Sequence, residues 1–210
     1  MLPRVHCLAI LTLAALLAAA KPATRPAVDL STPRSALNTF ADALQHGDVP
    51  TAMAVSLNDA VSTPLVETMV KFSGTQQKLL DAAAARWGEE VRHMVKPDFV
   101  SELQQLAETK VELQGPLARF TRDDPTPVLL RKSPEGWKVD ARAMAKGVDV
   151  LQDMQAYNAM AVLEAEVTKE ITSGKKRSMA TVMKTLDRGW ATMREVAKSS
   201  SPHATTTPSP

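Results

Sequence analysis

From Thr32 onward the apolar residues recur every three to four positions, then every two, then every three to four again, and this change of period predicts the fold. Leu37, Phe40, Ala41 and Leu44 fall at i, i+3, i+4 and i+7, with Thr32 placed to cap the helix, Pro33 at its first position and Gly47 to end it. Asp48 is placed to cap a second, short helix with Pro50 in its first turn and Met53 and Leu57 one turn apart. Thr63 and Pro64 repeat the cap-and-proline pair. They predict a third helix with the stripe Leu65, Met69, Phe72, Leu79, Leu80, Ala83 and Trp87, bent or divided at Gly74. Residues 89–96 have no clear period; Pro97 stops a helix there, and Asp98 is placed to cap a turn or two carrying Phe99, Leu103 and Leu106.

At Thr109 the period becomes two. Val111 and Leu113 alternate with Lys110, Glu112 and Gln114, the pattern of a half-buried strand, and Gly115-Pro116 turns the chain into a second strand over 117–121. Asp123, Asp124, Pro125 and Pro127 mark a loop, 128–132 a third strand, Ser133-Pro134-Glu135-Gly136 a tight turn and 137–140 a last strand. The helical period returns over 144–171 and 178–197, joined by a turn over 173–177. In the second of these helices Met179, Val182, Met183, Leu186, Trp190, Met193 and Ala197 form one apolar stripe. The fold class is therefore α+β, with N-terminal helices packed on a curved antiparallel sheet (residues 32–145) followed by a C-terminal helical hairpin (146–198). The Ser, Thr and Pro of 199–210 read as a disordered tail.

The first 31 residues follow a different logic. Arg4, an apolar run of about 16 residues and the exit Ala18-Ala19-Ala20 have the order of a secretory signal peptide (1–20). The run is shorter than the roughly 20 residues a membrane-spanning helix needs. Cleavage there, a flexible leader over 21–31, an exported periplasmic or extracellular product and no stable membrane insertion are the expectations. Composition narrows the chemistry. The chain has 210 residues, enough for one good core or a core plus an appendage, and its 25 Lys+Arg against 23 Asp+Glu give a formal +2. Loss of Arg4 with the signal leaves the mature chain close to neutral, so no nucleic-acid partner is expected. The single cysteine, Cys7, lies inside the signal, which excludes thiol chemistry and a cysteine-ligated metal after cleavage.

Two strings carry a resemblance. The first is Thr32-Pro33, Ala36, Phe40, Ala41, Leu44 and Gly47-Asp48; the second is Glu135-Gly136-Trp137-Lys138-Val139-Asp140. Together they resemble the nuclear transport factor 2-like superfamily, in particular small exported bacterial members of unknown function, over about residues 32–145. The long segment between the third helix and the first strand, and the C-terminal hairpin, depart from that pattern. The resemblance implies a cone-like fold enclosing a cavity that some members use to hold small apolar molecules or to run isomerase or dehydratase chemistry.

Few residues could serve such chemistry. His6 leaves with the signal and His203 is in the tail. His46 stands beside a helix-ending glycine, where an imidazole favours the carboxyl end of the helix. His93, three residues beyond Glu90, lacks a partner identifiable from spacing, Asp123-Asp124 reads as a turn pair, and Tyr157 falls in the added hairpin. No catalytic residue, metal site or cofactor is assigned. Phe40, Leu44, Phe72, Phe120 and Trp137 are the candidate pocket lining, and the same residue types are the default contents of a core. The sequence thus favours an exported, non-catalytic binding or interaction module with a small apolar ligand, and a homodimer or protein contact through the hairpin. The alternative is an isomerase- or dehydratase-type enzyme.

Overall fold

The computed structural model describes residues 28–94, 99–121, 127–144, 150–175 and 178–200. The segment 1–20 read as a signal peptide, residues 21–27 of the expected leader, Asp98, Asp123-Asp124, Lys176-Arg177, His203 and the rest of 201–210 lie outside these residues.

Helix α1 (Pro33–His46) begins at a reciprocal cap: Thr32 Oγ1 accepts from the Ser35 N–H at 3.0 Å, and Ser35 Oγ accepts from the Thr32 N–H at 3.1 Å. Gly47 ends it in the left-handed conformation. Asp48 then caps α2 (Val49–Ala54) by accepting from the Thr51 N–H and hydroxyl. Leu57, expected on this helix, lies beyond its end. Residues 55–57 leave α2 to run beside a strand, with the Val139 N–H donating to Val55 O and the Leu57 N–H to Val139 O, both at 2.9 Å.

Helix α3 (Ser62–Trp87) corrects the expectation of a Thr63 cap. Asp59 supplies the cap instead, its Oδ1 accepting from the Val61 and Ser62 N–H groups and its Oδ2 from the Ser62 hydroxyl, each at 2.8 Å. An aspartate turn reaches forward over the first orphan donors, so the helix starts before Thr63. It runs unbroken through Gly74. Short helices α4 (Val91–Met94) and α5 (Phe99–Ala107) lead to strands β1 (Val111–Gln114), β2 (Leu117–Phe120), β3 (Val128–Ser133) and β4 (Gly136–Val139). These form an open antiparallel sheet in the order β1-β2-β3-β4. Then come α6 (Ala141–Met144), α7 (Val150–Thr172) and α8 (Met179–Ser200). The architecture is α+β, with helices before the sheet and a helical pair after it.

The sheet presents Ala118, Phe120, Val128, Leu130, Trp137 and Val139 to the helices. These pack with Leu37, Phe40, Leu44, Leu65, Val66 and Leu103 into a first core. Leu113 shares that face by register, opposite Ala118, yet it is 60% exposed: β1 is the sheet's edge, and the half-buried reading holds only at Val111. A second core lies where the other half of α3 meets the hairpin, and includes Phe72, Leu79, Met160, Val167, Ile171, Val182 and Leu186. Gly189 allows α8 close to α7, since a Cβ there would stand 2.3 Å from Leu163 Cδ2.

Leu30, within the segment expected to be a flexible leader, is held against the fold. The Trp137 N–H donates to Leu30 O at 2.9 Å, and Leu30 packs on the first core. Gly136 makes this possible: its φ is 125°, and a Cβ would stand 2.5 Å from both Leu30 Cβ and Leu30 O.

Candidate functional site

Four of the five residues read as pocket lining, Phe40, Leu44, Phe120 and Trp137, come together in the first core, where the largest exposure among them is 7%. Phe72 is elsewhere. It sits in the second core with its ring 5.3 Å from that of Tyr157 and edge-on to Trp190 at 5.9 Å. Tyr157 therefore links the hairpin to α3, and burial together with the charges of Asp153 and Glu102 pushes its phenol up to about 12. His46 is exposed, its Nδ1 2.8 Å from Asp42 O. Among the described residues no group of three or more His, Cys, Asp or Glu side chains is placed to hold a metal ion. Among them, too, no helix is long and apolar enough to cross a membrane.

The structure holds two polar features that the sequence reading did not single out. The first is Glu164, 2% exposed on the buried side of α7. Burial raises its carboxyl to about 8, against the smaller opposing effect of the Thr75 hydroxyl. Thr75 Oγ1 lies 2.7 Å from Phe72 O and 3.1 Å from Glu164 Oε2. One hydroxyl has one proton, and the shorter bond takes it. Both contacts are hydrogen bonds at once when the carboxyl is protonated and donates to Thr75 Oγ1. Geometry and desolvation thus agree on a neutral acid at pH 7. On α3, Ser73 is also buried, with its Oγ unpartnered among the described residues. The signal for Glu164 is its register: Met160, Glu164, Val167 and Ile171 stand at offsets 0, 4, 7 and 11, so a carboxylate occupies a stripe position.

The second feature is an open groove of about 570 Å³, lined by Leu57, Asp59, Leu129, Arg131, Asp140, Arg142, Ala143 and Val150. It lies against the outer face of β3, where Leu129 and Arg131 alternate with the core residues Val128 and Leu130. Apolar Leu57, Leu129, Ala143 and Val150 share it with two acid–base pairs. Arg131 Nε donates to Asp140 Oδ2 at 3.0 Å, and Asp140 Oδ1 also accepts from the Ala143 N–H at 3.4 Å. Arg142 Nη1 stands 4.0 Å from Asp59 Oδ2, an ion pair without a hydrogen bond. The Asp59 carboxyl is held below its ordinary value first by the Ser62 N–H, then by the Ser62 hydroxyl and the Val61 N–H, with Arg142 the weakest contributor. The acids in this groove are occupied by the protein, while the guanidinium groups are over half exposed. No single-sequence motif marks the groove, because four separate segments build it.

No family model, no curated protein and no solved structure matches this chain.

Proposed function

We propose that this chain is an exported, non-catalytic binding module of the cell envelope, and that its ligand lies in the groove beside β3. The single observation behind this reading is the groove's make-up: a concave surface of about 570 Å³ with apolar side chains and a few convergent charged groups, within the size range of small-molecule sites. The order of helices, antiparallel meander and added hairpin supports keeping the nuclear transport factor 2-like resemblance as part of the proposal. The core packing of Phe40, Leu44, Phe120 and Trp137 favours a ligand held outside the fold's centre. The hairpin is the proposed protein contact, a second copy included, since α7 leaves Leu151 and Val162 exposed.

An uncharged fluorescent probe, N-phenyl-1-naphthylamine, tests the groove. Saturable binding at one site is expected in the mature chain, weakened about tenfold or more by Leu129→Glu with an unchanged melting temperature. Equal binding by both proteins, or none by either, overturns the reading. The isomerase or dehydratase alternative rests on Glu164, the one strongly desolvated carboxyl among the described residues, which does not line the groove. It requires turnover that Glu164→Gln abolishes.

A further inference from the structure

We infer that the groove recognises a singly charged carboxylate carried on an apolar body, with Arg142 as its principal anchor and Arg131 as the second; this rests on the binding reading above. The argument is an accounting of donors and acceptors. Asp59 accepts three hydrogen bonds while capping α3. Asp140 accepts from Arg131 and from the start of α6. Of about four acceptor sites on each carboxylate, Asp59 has roughly one left and Asp140 roughly two, fewer than the uncommitted guanidinium donors beside them. Among the described residues, Arg131 commits only its Nε and Arg142 commits none of its N–H groups to a hydrogen bond, although both side chains line the groove and are over half exposed. The site is electrically balanced by formal charge yet carries a surplus of guanidinium donors, and those donors suit a planar, two-oxygen acceptor.

The same balance selects the charge of the ligand. The carboxylates of Asp59 and Asp140 offset the two guanidinium groups, so the second charge of a dianionic phosphate gains no net attraction here, and the planar two-oxygen fit of a carboxylate decides. Leu57, Leu129, Ala143 and Val150 then cover the rest of the molecule. Loss of the carboxylate would leave the arginines as they stand in the free protein. The discrimination therefore comes from bonds gained by the acid, with no clash against its neutral analogue.

Competition against the bound naphthylamine probe tests this, using decanoate, decanamide and decyl phosphate with the mature chain and with Arg142→Gln. Decanoate is expected to displace the probe at a concentration about tenfold or more below that of decanamide, and below that of decyl phosphate. The ratio of decanoate to decanamide, read within each protein, should fall severalfold in Arg142→Gln, with Arg131 holding the remainder. A ratio near one in the unmodified chain, or a ratio that Arg142→Gln leaves unchanged, overturns the carboxylate assignment while the groove stands. Stronger displacement by decyl phosphate overturns the charge selection. Failure of the probe to bind removes the groove itself and this inference with it.

Discussion

The two cores of this protein share one helix and differ in what they tolerate. Around the amino-terminal half of α3, the sheet and α1 bury Phe40, Phe120, Leu130 and Val139, and the buried hydroxyls there have local partners, Ser56 donating to Ala52 O at 2.7 Å and Ser62 to the Asp59 carboxylate at 2.8 Å. Around the other half, α7 and α8 close over Phe72 and Met160 together with an acid. A core of hydrocarbon is stable over any pH at which its surface stays soluble. A core that holds Glu164 loses stability as pH climbs from the unfolded acid's range toward the native one, because the unfolded chain gives up its proton first. One helix thus carries two kinds of stability, one set by packing alone and one conditional on solvent.

The largest expected effect comes from Phe120→Ala, which should cost about 3–5 kcal/mol in chemical denaturation by leaving a cavity under the sheet. The cost should be the same at pH 6 and pH 9; a cost that changes with pH would erase the distinction between the cores. Glu164→Gln comes next. The native acid titrates near 8 and the unfolded one near 4.5. The unfolded chain therefore loses its proton first, and stability falls as pH rises between those values, by at most about 1.4 kcal/mol per pH unit, then levels off. The contribution of the neutral acid is fully present below about 4.5. Glutamine keeps a donor for Thr75 Oγ1 and should flatten this slope, leaving the variant the more stable protein at pH 9 and nearly equal at pH 5. A slope that persists unchanged would place the pH dependence elsewhere. The smallest effect is Thr32→Ala, about 1 kcal/mol from the loss of the reciprocal cap on α1, equal at both pH values. Melting curves resolve it, and a loss confined to alkaline pH would tie α1 to the wrong core.

The first region was far more legible in the sequence than the second, for a physical reason. A capped helix and a hairpin are local: Thr32, Pro33 and Gly47, or Gly115-Pro116 and the alternation around it, act on neighbours within a few positions. The Asp59 cap was masked by a second local signal, since Thr63-Pro64 repeats Thr32-Pro33 while the aspartate reaches the helix from three residues upstream. Alternation placed Leu113 correctly by face, but exposure at an edge depends on what the other elements cover. Glu164 was hidden because apolar residues lie on more than one side of α7, which leaves its buried side undefined until α3 is docked. The groove gathers 57–59, 129–131, 140–143 and 150 from four places, and no window along the chain contains it.

The strap at Leu30 has a mechanical consequence. Among the described residues, a pull applied at Val28 reaches the fold first through the backbone hydrogen bond from Trp137 to Leu30 O, beside the outer edge of β4, before it loads the cap of α1. Bonds met one after another yield singly, whereas strands pulled along their length yield together. Tension there should therefore first peel Leu30 from the sheet at low force, exposing Gly136 and the flank of Trp137, with both cores still intact behind it.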